Sequence, residues 1–136
     1  IESQYRASKT DKTFVGNSLG GLFGAYILFT EPDLFSSYIL GSPSVWFDDN
    51  AILSAPLTKP GTQIKVYLSV GEHETPAFGE MQDMVAGAMQ LRDKIAASAN
   101  ADIEVNFAIV SGASHATAFP TTAIQGLDWI YAIKRK

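Results

Sequence analysis

Strand-like and helix-like segments alternate along this chain, and that alternation restricts the fold more tightly than anything else in it. Short β-favouring runs at 13–15, 37–40, 64–70 and 103–110 are interleaved with apolar residues at helical spacing over 19–30, 79–98 and 122–135. Strands joined by helices enter one sheet in parallel, through right-handed crossovers. The pattern therefore predicts an α/β architecture, a parallel sheet of four strands with flanking helices. A helix end is expected over 1–8, and irregular chain from 41 to 61, where Pro43, Pro56 and Pro60 mark turns. Within 79–98, Met81, Met84, Val85, Ala88, Leu91 and Ile95 form one apolar face, and the three methionines of that segment read as core filler. At 136 residues, 46% apolar and 18% charged, the chain has material for one domain at most.

The junction of the first strand and first helix reads Gly16-Asn17-Ser18-Leu19-Gly20. Gly-x-Ser-x-Gly arises by chance roughly one time in twenty in a chain of this length, so its context must carry the argument. That context is a β-favouring Thr13-Phe14-Val15 before it and Leu19, Leu22, Phe23, Tyr26 and Ile27 at helical spacing after it. A serine hydroxyl is a weak nucleophile unless it is exposed beside a base and near donors for an oxyanion. A sharp strand-to-helix turn lifts Ser18 clear of the backbone and aims the Leu19 N–H, at the helix start, towards developing negative charge. A Cβ at either flanking glycine is expected to collide with the neighbouring strand or helix.

A nucleophilic serine needs a base, and the chain has two histidines. His115 follows the strand-like run 103–110 in Ser111-Gly112-Ala113-Ser114-His115, and such loops are where open parallel sheets place their chemistry. His73 lies between Glu72 and Glu74, whose charges favour a protonated ring, and it reads as a solvated loop residue. Glu72 and Glu74 both follow the run 64–70 and precede His115, which gives the order serine, acid, histidine. Periodicity does not separate the two, because alternate residues share a face. Asp48 and Asp49 read as a turn or helix cap, and Glu80, Asp83 and Asp93 as a solvated helix face. Trp46 and Phe47 are candidates either to line a substrate pocket, Trp46 first, or to anchor a long loop in the core.

Composition removes other classes. Without cysteine there is neither disulfide nor thiol chemistry, and two separated histidines offer no metal-ligand spacing, so no metal or cofactor is expected. A formal charge of -4, from 10 basic and 14 acidic residues, gives no basic patch for nucleic acid. Lys134, Arg135 and Lys136 cluster at a helix carboxyl end, where cations complement the dipole. No apolar stretch is long enough to span a membrane.

Gly16-Asn17-Ser18-Leu19-Gly20-Gly21-Leu22-Phe23, Glu31-Pro32-Asp33-Leu34-Phe35 and Gly41-Ser42-Pro43-Ser44-Val45-Trp46-Phe47-Asp48-Asp49 carry a family resemblance, continued in Val70-Gly71-Glu72-His73-Glu74, Gly112-Ala113-Ser114-His115 and Pro120. These blocks, in this order and over essentially the whole chain, resemble the serine esterases that include esterase D-like enzymes, feruloyl esterases and enterobactin and bacillibactin trilactone esterases. The resemblance implies an α/β-hydrolase fold with Ser18 as nucleophile, His115 as base and Leu19 N–H in the oxyanion hole, acting on a small-molecule ester. It also implies Glu74 as the acid, three residues after the glycine that ends its strand, with Glu72 as the alternative; some siderophore esterases work with a serine-histidine dyad. Asn17 departs from the histidine of many relatives. Relatives also have a long amino-terminal half that supplies the first strands and a second oxyanion donor. Residues 1–136 are therefore expected to be the carboxyl-terminal half of one hydrolase domain, with the edge at 13–15 covered by that other half or another chain. The alternatives are a thioesterase or S-formylglutathione hydrolase on the same fold, and a non-catalytic binding module or inactive fragment.

Overall fold

In a computed structural model, which describes residues 3–98 and 102–132, the alternating segments form a single sheet. Strands β1 (Thr13–Asn17), β2 (Ser37–Gly41), β3 (Ile64–Gly71) and β4 (Ile103–Val110) run parallel in the order β1-β2-β3-β4. Helices α1 (Leu19–Thr30), α2 (Phe47–Ser54) and α3 (Met84–Ala97) form the crossovers, and α4 (His115–Tyr131) follows β4. The α/β class and the parallel sheet expected from the alternation are those observed.

Side-chain alternation along the strands divides the helices between two faces. Tyr38 and Leu40 of β2, with Ile64, Val66 and Leu68 of β3, pack with Leu28 and Phe29 of α1, Ile52 of α2, and Leu91 and Ile95 of α3. Ile39, Tyr67 and Ser69 have the opposite parity and meet α4. The Tyr67 hydroxyl donates to Gln125 Oε1 at 3.0 Å, and the hydroxyls of Ser69 and Thr122 bond each other. Gly126 lets α4 lie close, since a Cβ there would meet Ile39 Cδ1 at 2.9 Å. All five residues of β2 are buried, as befits a strand paired on both edges and covered on both faces. Among the described residues β1 pairs only with β2, so the edge expected at 13–15 is open, and Val15 on it is exposed.

Four local expectations change. Residues 3–8 form a turn and bends rather than a helix end, and residues 1 and 2 lie outside the described set. The stretch from 41 to 61, read as irregular, contains α2. Its Asp48, Asp49 and Asn50 take left-handed φ of 51°, 52° and 60°, which Asp and Asn tolerate best after glycine and which erases the helical period from the sequence. Helix α3 begins at Met84, not 79, because Asp83 caps it by accepting the Ala86 N–H at 2.8 Å. Consequently only Met84 joins the core, while Met81 is 92% and Met89 39% exposed. Helix α4 begins at His115, seven residues before 122, and runs through Pro120. A capping box, with Ser114 N–H donating to Thr117 Oγ1 at 2.9 Å, starts the helix ahead of the proline. The Lys134-Arg135-Lys136 cluster lies outside the described residues.

Candidate active site

Each chemistry-bearing side chain of the site leaves the sheet at the carboxyl end of a strand: Ser18 after β1, Ser42 and Ser44 after β2, Glu74 after β3, His115 after β4. Ser18 occupies the turn into α1 at φ 59°, ψ -120°, a conformation that costs a non-glycine residue about 1–3 kcal/mol. Its N–H donates to Gly41 O at 2.9 Å, and its carbonyl accepts from Leu22 N at 3.0 Å and Ser44 N at 3.1 Å. The backbone of Ser18 is thereby tied to the loop after β2. Its Oγ lies 3.3 Å from Ser44 Oγ. A Cβ on Gly16 would strike the Gly20 carbonyl and approach the Phe14 ring to 2.8 Å, so strand and helix do cross too closely for any other residue there. Gly20 differs from expectation: a Cβ on it would meet nothing within 4 Å. Leu19 N–H, in the first turn of α1, has no intrahelical acceptor and sits at the positive end of the helix dipole. Asn17 Oδ1 is buried with no hydrogen-bond partner among the described residues, packed beside Gly41.

The structure separates the two glutamates that periodicity could not. Glu74 is fully buried, with Oε2 at 2.6 Å from His115 Nδ1. Its Oε1 accepts from Gly71 N–H at 2.7 Å and from the Ser42 hydroxyl at 2.5 Å. A buried carboxylate with three such partners is fully hydrogen-bonded, which the cost of desolvating it demands. Glu72 instead accepts from Gly112 N–H at 2.7 Å and Ser111 Oγ at 2.9 Å, tying the β3–α3 loop to the loop that carries His115. Those bonds, Gly112 first, hold its pKa below the ordinary 4.5. His73 stacks on Phe78, ring centroids 4.0 Å apart, and is half-buried rather than solvated. His115 opens α4 with its side chain 38% exposed. With Nδ1 facing Glu74, its Nε2 is left for the cavity.

Ser18, Ser44, Trp46, Met81, Gln82 and His115 line one cavity of about 210 Å³. Trp46 thus shares a cavity with Ser18 and His115, while Phe47 turns into an apolar groove of about 380 Å³ shared with Leu19, Phe23 and Tyr26. Neither anchors the loop in the core; that is Val45, 1% exposed. Sequence reasoning passed over Ser42, Ser44 and the segment around Met81. The first two had a usable signal, since Ser42-Pro43-Ser44 directly follows the end of a strand. Among the described residues no group of three His, Cys, Asp or Glu side chains is arranged to hold a metal ion, and no helix is long and apolar enough to cross a membrane.

Known proteins are similar to this chain in sequence and in fold. Ferri-bacillibactin esterase BesA of Bacillus subtilis (strain 168) is 35% identical over 133 residues, covering 93% of this chain and 45% of that protein. A siderophore enterobactin esterase of Emericella nidulans is 46% identical over 39 residues, 29% of this chain and 13% of its own. Among solved structures, the BES protein from Bacillus cereus superposes with a TM-score of 0.81 at 28% identity, over 98% of this chain and 50% of that one. An IroE-like serine hydrolase from Shewanella oneidensis gives a TM-score of 0.76 at 21% identity, over 96% and 43%, a likeness of fold. The chain thus spans about half the length of these longer relatives. The family model described as Putative esterase matches residues 1–129, and the chain belongs to that esterase family of the α/β-hydrolase fold.

Proposed function

We propose that the protein of which these residues form the Ser18-bearing part hydrolyses carboxylic esters through an acyl-enzyme. The observation that carries the reading is the contact of the buried Glu74 carboxylate with His115 at 2.6 Å, an imidazole that opens into the same cavity as Ser18. Ser18 Oγ attacks the ester carbonyl carbon as His115 Nε2 takes its proton, and Glu74 holds the ring in the required tautomer and offsets the imidazolium charge. Leu19 N–H donates to the oxyanion. Collapse of the tetrahedral intermediate breaks the ester C–O bond, and the departing alcohol takes the proton from Nε2. Water then attacks the acyl-serine by the same route and releases the acid. Ser18 must first turn from Ser44 towards the imidazole, a side-chain rotation of the kind that substrate binding commonly completes.

Several relatives are named as siderophore esterases, which supports a cyclic or branched multi-ester of that chemical class as substrate. We place the second oxyanion donor, and the cover of the β1 edge, in the additional half that the longer relatives have. The test is the Ser18→Ala variant of the complete protein, assayed on p-nitrophenyl, feruloyl and trilactone esters. A loss of about four to six orders of magnitude in kcat is expected, together with loss of fluorophosphonate labelling. Substantial turnover by the alanine variant rejects the assignment, and a wild-type protein that neither turns over nor labels favours a binding module.

A further inference from the structure

At position 42 the backbone calls for glycine and the chain supplies serine. Ser42 has φ 41°, in the left-handed region, and is fully buried, so neither conformational ease nor solvation explains a hydroxyl there. The hydroxyl donates to Glu74 Oε1 at 2.5 Å, a short charge-assisted bond. The other donor to that oxygen, Gly71 N–H, ends β3 three residues before the glutamate and so ties Glu74 to its own strand. Ser42 directly follows a different strand, β2, 32 residues from the glutamate. Its own N–H bonds Ser69 O at 2.7 Å, and the preceding Gly41 O receives the Ser18 N–H at 2.9 Å. Strand β2 is paired to β1 and β3 on its two sides, with Gly41 opposite both Asn17 and Ser69. The hydroxyl of Ser42 is therefore fixed relative to both the serine turn and the acid turn.

Building on the esterase reading, we infer that Ser42 is a positioning residue for ester hydrolysis. Two donors on Oε1 orient the carboxylate plane, and the second oxygen is thereby aimed at His115 Nδ1. Without the hydroxyl, Oε1 keeps one donor, from the strand that leads into the Glu74 turn, and the imidazole loses its alignment with Ser18. The hydroxyl is fully buried on Glu74 Oε1 and acts through that carboxylate.

Ser42→Ala and Ser42→Gly separate this role from a structural one. Alanine keeps the Cβ at an unfavourable φ and removes the hydroxyl, whereas glycine removes the hydroxyl and relaxes the backbone as well. In the complete protein both variants are expected to lower kcat about ten- to a hundredfold, the size of effect that misalignment of catalytic groups produces, with KM changed by less than about twofold. In proton NMR, the downfield resonance of the Nδ1–H facing Glu74 should move upfield in both. A glycine variant that folds at least as stably as wild type, keeps kcat within about threefold and leaves that resonance in place overturns the inference. If the wild-type protein hydrolyses no ester, the esterase reading fails separately, and the NMR resonance alone decides whether Ser42 positions the Glu74–His115 pair.

Discussion

Replacing Glu74 with glutamine preserves the shape of the buried side chain and reverses part of its hydrogen bonding. Three donors surround the carboxylate: Gly71 N–H at 2.7 Å and Ser42 Oγ at 2.5 Å on one oxygen, and His115 Nδ1 at 2.6 Å on the other. An amide offers one oxygen and one NH2 group, so it cannot accept on both sides. With its oxygen towards Gly71 and Ser42, the NH2 faces Nδ1 and forces that nitrogen to accept. The ring proton then sits on Nε2, where it blocks abstraction from Ser18. With the amide reversed, NH2 opposes the buried Gly71 N–H, and that mismatch costs about 1–3 kcal/mol. The first orientation wins because it keeps two bonds. Glu74→Gln should therefore lower kcat about 10³- to 10⁴-fold, while stability changes by less than about 2 kcal/mol. Steady-state hydrolysis of p-nitrophenyl esters, fluorophosphonate labelling rates and thermal unfolding of the complete protein measure these together. A folded variant with kcat within tenfold of wild type would refute the tautomer argument.

Three further outcomes are expected. Ser18→Gly should abolish hydrolysis yet raise the unfolding free energy by about 1 kcal/mol, because glycine accepts φ 59° without a Cβ penalty; a lowered Tm would mean that the turn holds no strain. For Glu72, bonds from Gly112 and Ser111 lower the folded pKa below 4.5, so its contribution to the order of that loop is complete above that value. It is lost as pH falls through the lower folded value. The Gly112 amide resonance should accordingly titrate with a midpoint under 4.5 and stop titrating in Glu72→Gln, whereas a midpoint at or above 4.5 contradicts the bond. Gly126→Ala adds a methyl 2.9 Å from Ile39 Cδ1 and 3.0 Å from its Cγ1 and Cγ2. Overpacking of about 1–3 kcal/mol should outweigh the gain in helix propensity of about 1 kcal/mol, so the urea midpoint should fall; an unchanged midpoint would show that α4 can shift outward freely.

What the sequence determined by itself is what short-range periodicity encodes. The bounds of α1 and β4 coincide with the apolar patterns over 19–30 and 103–110, and the parallel pairing follows from the strand-helix alternation. Ser18 and His115, singled out by a strand-turn-helix signature and by a place after a strand, line one cavity in the structure. The left-handed residues of α2 and the capped start of α4 ahead of Pro120 escaped notice because local hydrogen bonds and backbone twist there override the apolar period. Periodicity left Glu72 and Glu74 level and the family resemblance favoured Glu74, but only the tertiary structure shows which carboxylate faces His115. They stand two residues apart in one loop, and their fates depend on which partners the sheet delivers to each. The carboxylate of Glu74 meets a hydroxyl from the loop after β2 and an imidazole 41 residues further along the chain, while that of Glu72 meets the β4–α4 loop. Such contacts arise from strand register and crossover packing, which no local run of residues specifies.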